Sequence, residues 1–107
     1  MELPNLDYIN KLARGEESVK QALLDVIRSE FPEDLKTYNS LVESNNYKNI
    51  EDIVHRIKHK FSILGLENGY NNAVELELHL RENDFNQEKK DAFEATLKSI
   101  TEFLKTI

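Results

Sequence analysis

"IEDIVHRIKHKFSILGL", residues 50–66, decides how the rest of the chain is read. Its apolar residues Ile50, Ile53, Val54, Ile57, Phe61 and Leu64 recur at gaps of three and four, the spacing of an α-helix with one buried stripe. Advancing 100° per residue from Ile50, the side chains of Val54, Ile57 and Phe61 fall within roughly 40° of the starting direction, with Ile53 and Leu64 slightly further out. On the same wheel Ser62 comes at about 120°, His55 at about 140° and His59 at about 180°. The helix is therefore expected to turn His55, His59 and Ser62 away from its apolar face. Glu51 at i−4 and Lys58 at i+3 flank His55, close enough to interact with it.

Working outward, "SNNYKN", Ser44 to Asn49, is a loop of residues whose side chains compete for backbone hydrogen bonds. Asn49 is the expected N-cap of the helix that follows, with Glu51 and Asp52 in its first turn. Before the loop, Val19, Ala22, Leu23, Val26 and Ile27, then Leu35, Tyr38, Leu41 and Val42, form an apolar stripe. Pro32 interrupts it, and because the stripe resumes nearly in phase the reading is one long, kinked helix. A short helix is expected from Leu6 to Ala13, stopped by Gly15. After about Leu66, "ENGYNN" breaks the pattern, and Asn71 or Asn72 is expected to cap a helix through Ala73, Leu76 and Leu80. "ENDFN" makes the next turn, and a last helix carries Phe93, Leu97, Ile100, Leu104 and Ile107. No segment alternates with period two. The fold class predicted is all-α: an antiparallel up-and-down four-helix bundle with a short additional N-terminal helix.

Composition narrows the function. The 107 residues fit one domain, 1–107, with a single modest core. At 39% hydrophobic and 32% charged residues, with three Gly and two Pro, the chain reads as folded and helix-rich. It has no cysteine, which excludes disulfides, Cys-ligated zinc and thiol catalysis. The longest apolar runs are too short to cross a membrane, and Met1 to Leu6 lacks the features of a signal peptide, so a cytoplasmic location is expected. A net charge of −6 argues against binding nucleic acid through its phosphates.

The chemistry open to His55 is then limited. His55 and His59 at i and i+4, with Glu51, could share a cation, but a zinc-protease helix needs Glu directly after the first His and Arg56 stands there. His79 has no companion at ligand spacing. No metal site is expected. There is no Gly-x-Ser-x-Gly elbow and no Gly-rich phosphate loop. A solvated surface histidine is one reading; the other is an exposed imidazole that accepts a phosphoryl group and passes it on.

"VHRIKHKFSILGL", Val54 to Leu66, resembles the phosphorylation motif of histidine-containing phosphotransfer (HPt) domains, whose usual form is His-x-x-Lys-Gly-x-[Ser/Ala] with a closing Gly and apolar residue. His55 matches the phosphorylated histidine, Lys58 the motif lysine, and Gly65 with Leu66 the closing pair. From Leu6 to Leu66 the order of elements is also similar to the family's: a short helix ending in Gly, a long helix containing Pro, a loop, then the motif helix. The resemblance implies a helical bundle in which His55 takes a phosphoryl group from a receiver-domain aspartate and gives it to another. Lys58 would give electrostatic support, and Arg56 and Lys60 could add positive charge around the site. Glu77, with Glu75 as the alternative, would hold the histidine ring; otherwise Glu77 is a solvated surface carboxylate. His59, Ser62, Ile63, Leu66 and Tyr70 would form the docking surface. The implied partners are response-regulator receiver domains and a hybrid histidine kinase. The receiver would bring the magnesium, so no cofactor is expected in this chain, nor autokinase activity, and a monomer is expected.

The chain departs from the motif where it matters. His59 stands in place of the glycine after the lysine, and Lys60 and Phe61 in place of the small residues that follow. An imidazole there would narrow partner choice, tune the reactivity of His55 or impair transfer. The alternative function is a helical adaptor of the same fold that binds a receiver or kinase domain without being phosphorylated.

Overall fold

The computed structural model describes residues 2–107. Those residues form five helices and no strand: α1 (Asp7–Ala13), α2 (Glu17–Ser44), α3 (Tyr47–Ile63), α4 (Glu67–Arg81) and α5 (Gln87–Leu104). Joints of two to five residues connect α2 through α5, so consecutive helices lie side by side around one core. Ile50, Ile57, Phe61, Leu64, Ala73, Leu76, Phe93 and Ile100 are fully buried in it. Aromatic contacts close the bundle, with Phe93 of α5 lying 5.2 Å from Tyr38 of α2 and 5.4 Å from Phe61 of α3. The Tyr38 hydroxyl donates to Glu94 Oε2 at 2.8 Å, joining α2 to α5 a second time.

Several local expectations change. The helix runs through Pro32 as one element, but the face α2 buries is Leu24, Ile27, Phe31, Asp34 and Tyr38, while Val19 and Val26 face solvent. That set has regular gaps of three and four; the carboxylate at its centre, Asp34, disguised it. Asn46, not Asn49, caps α3, its side chain accepting from the Asn49 N–H at 3.1 Å. The helix therefore starts at Tyr47, and Glu51 and Asp52 lie beyond its first turn. In the last helix Phe93, Leu97 and Ile100 are buried and Leu104 is half-buried; the helix ends there, and Ile107 lies beyond it and outside the core.

The break after α3 is also tighter than the sequence suggested. Helix α3 ends at Ile63, Gly65 turns the chain with φ +75, and α4 begins at Glu67, so "ENGYNN" is helix and neither Asn71 nor Asn72 is a cap. A side chain at Gly65 would be strained by that φ, and its Cβ would also come within 2.5 Å of the Asn5 amide. The N-terminal segment is what completes this corner. The Asn5 N–H donates to the Leu64 carbonyl at 2.8 Å, and the Glu2 carboxylate accepts from the backbone N–H groups of Asn68 and Gly69 at 2.8 and 3.0 Å. A carboxylate from 66 residues away thus satisfies two of the free donors at the start of α4.

Candidate functional site

His55 sits in the middle of α3 with its side chain 58% exposed. The core-facing stripe of α3 fixes that direction: with Val54 and Ile57 fully buried, the residue at 55 must project outward. Helix α4 supports the ring from one side. His55 Nδ1 lies 3.1 Å from Oε2 of Glu77, whose side chain is buried. A carboxylate oxygen only accepts, so Nδ1 is the donor in this contact, and in the neutral ring the lone pair is on Nε2.

Glu77 is the hub of the site. Its Oε1 lies 2.7 Å from Nζ of Lys58, which is itself buried. This ion pair is the contact that answers the charge on the buried oxygen. The Lys58 ammonium also sits over the Tyr70 ring, 5.6 Å from its centre. Arg81, one turn along α4, approaches Glu77 Oε2 at 3.8 Å and donates to Glu51 from its Nε. An ion pair of this kind removes most of the cost of burying each charge, which neither could bear alone.

The expected site residues divide accordingly. The structure brings His55, Lys58 and Glu77 together, while Glu75 is exposed and pairs with Lys89, which holds its carboxyl below the usual range. Lys58 is spent on Glu77. Lys60 is not at the site at all. It is buried on the opposite flank of α3, 2.9 Å from Asp34 Oδ2 and 3.1 Å from Glu30 Oε1. Arg56 reaches Asp34 Oδ1 at 3.3 Å. Leu66 is buried and cannot belong to a docking surface as expected, because Gly65 folds it back under the bundle. Ile63 and Tyr70 are half-buried, and Ser62 and His59 are exposed.

Glu51 faces Arg81 rather than the two histidines, so the His55, His59 and Glu51 cluster does not assemble. His79 is at the far end of α4, 3.0 Å from Asp84. Asp34 is the residue that sequence reasoning missed, and its place in the regular spacing of Leu24, Ile27, Phe31 and Tyr38 was the available signal. The rings of His55 and His59 stand perpendicular with centres 5.1 Å apart.

This arrangement, an outward imidazole whose inner nitrogen is tied to a buried carboxylate, accompanies a match over most of the chain. Residues 22–105 match the family model for the Hpt domain. The chain belongs to the Hpt domain family. No curated protein and no solved structure matches it. Hpt domains are phosphocarrier modules of two-component phosphorelays that interact with receiver domains and kinases. The match begins inside α2, so α1 and the strap formed by Glu2 to Asn5 lie outside the part of this Hpt protein that the family model covers. No described helix is long and apolar enough to cross a membrane.

Proposed function

We propose that this chain is a monomeric Hpt module of the cytoplasm whose His55 takes a phosphoryl group from the aspartate of one receiver domain and gives it to that of another. The observation that carries the reading is the tie between His55 Nδ1 and the buried Glu77, which leaves Nε2 outward with its lone pair. Nε2 attacks the phosphorus of the aspartyl phosphate, the N–P bond forms, and the P–O bond breaks to release the aspartate carboxylate. The Nδ1 proton stays in place, so the phosphorylated ring is cationic and Glu77 offsets its charge. In the reverse sense the carboxylate of a second aspartate attacks phosphorus, and the neutral imidazole leaves.

Lys58 acts through Glu77: it is a positioning residue that keeps the carboxylate charged and in place. The docking surface in this reading comprises Ser62, His59 and the exposed parts of Ile63 and Tyr70. The bundle supports the reading of α2 to α5 as four antiparallel helices with α1 added, since the short joints leave each helix no room to do other than reverse.

The test is transfer from a panel of phosphorylated receivers to the native protein, His55→Gln, Glu77→Gln and Glu77→Ala. Label stable to alkali, labile to acid and absent only from His55→Gln is the expected result. Glu77→Gln retains an acceptor for Nδ1–H but loses the charge, so transfer slows about tenfold, and Glu77→Ala slows it further. A folded native protein that takes no label from any active receiver overturns the relay and leaves the adaptor.

A further inference from the structure

The cations that flank His55 at Lys58, Arg56 and Arg81 are each engaged with a carboxylate. Lys58 is buried against Glu77, Arg56 reaches Asp34, and Arg81 is bound to Glu51. A phosphoryl group on Nε2 would carry about two negative charges to a place where, among the described residues, these three cations already have partners. A donor beside His55 is uncommitted. Among the described residues His59 makes no hydrogen bond and no ion pair, is exposed, and stands edge to face with His55 at 5.1 Å between ring centres.

We propose that His59 is a phosphoryl-binding residue: its ring N–H donates to an oxygen of the group on His55 and holds the phosphorylated state against loss. The proposal rests on the relay reading and assigns it a residue that the common motif does not supply, since a glycine has no side chain to offer. The distances are suitable. A phosphorus on Nε2 lies about 3 Å from the centre of its own ring, and its oxygens a further ~1.5 Å out, so a neighbouring imidazole at 5.1 Å reaches them by rotating about its side-chain bonds. His59 lies exposed on the helix surface, one turn beyond His55.

The test compares native protein with His59→Phe, which keeps a ring of similar size but has no N–H, and with His59→Gln, which keeps a donor. Each is loaded in two ways: from a phosphorylated receiver, and with phosphoramidate, from which Nε2 displaces ammonia without any partner. Phosphorus–nitrogen NMR couplings identify the group on His55. Expected are a shift of the His59 ring nitrogens in the native protein when His55 is phosphorylated, and spontaneous loss of the group about threefold to tenfold faster in His59→Phe than in native protein. His59→Gln is expected to lie between them. Equal loss rates in native protein and His59→Phe, with no shift at His59, overturn the proposal. Loading by phosphoramidate but by no receiver overturns the relay instead, and the loss rates on the chemically loaded protein still decide the role of His59.

Discussion

At the scale of single residues, two buried carboxylates organise α3, and they do different things. Glu77 meets an exposed imidazole and a buried ammonium; Asp34 meets a buried ammonium and an exposed guanidinium. The second group has no part in the proposed chemistry, so its energetics can be examined alone. Asp34→Ala leaves the Lys60 ammonium buried with only the exposed Glu30 for company, and is expected to cost about 3 kcal/mol in urea unfolding. Replacing both partners with apolar residues, Asp34→Leu with Lys60→Met, is expected to recover most of that loss. A cost below ~1 kcal/mol for the single variant would show that water reaches the pair. These carboxylates also mark where sequence was a partial guide. The outward direction of His55 follows from Ile50, Val54 and Ile57, but the partner of each lysine depends on the adjacent helix, and no periodicity within α3 distinguishes Lys58, turned to α4, from Lys60, turned to α2.

At the scale of elements, helix type and number were legible because apolar residues at gaps of three and four leave a strand no consistent face. The errors fall at ends. Asn46 and Asn49 are equally good caps by residue type, and only the fold selects between them; Asn71 and Asn72 looked like caps because the true satisfaction of α4, by Glu2, comes from the other end of the chain. The link between α2 and α5 carries its own pH dependence. Burial, together with the hydrogen bond to Glu94, pushes the Tyr38 phenol above its usual range. An acid whose folded pKa is raised stabilises the fold fully below its unfolded value, about 10, and that stability is lost as pH rises from there toward the folded value. Unfolding free energy measured between about pH 9 and pH 11 should therefore fall more steeply in native protein than in Tyr38→Phe, which has no proton to lose. Parallel profiles would show that Tyr38 ionises as readily in the folded state as in the unfolded one.

At the scale of the whole molecule, α2 sets the shape. Its 28 residues extend about 42 Å, close to the 44 Å long axis, while the other main helices of 15 to 18 residues extend about 22 to 27 Å. Its first turns project beyond α3, and α1 covers them with Ile9 and Ala13 buried. That arrangement was legible in outline, since "LARGEE" at residues 12–17 announces a short helix and a stop, but the packing of Glu2 to Asn5 beneath α4 was not, because no local pattern signals a contact made 66 residues away. The pairing of the cations around His55 has a further consequence, for the kinetics of encounter. A molecule of net charge −6 whose site cations are already neutralised offers an acidic partner no attractive field to follow on approach. Association with an acidic receiver, followed by stopped-flow fluorescence, should quicken as salt rises from about 20 to 300 mM and the Debye length contracts from ~20 Å to below 6 Å, the reverse of electrostatic steering. A rate that falls with salt would place a free positive field at the site after all. With the flanking cations paired, specificity in this protein is decided after contact, by how long partners stay together rather than how often they meet.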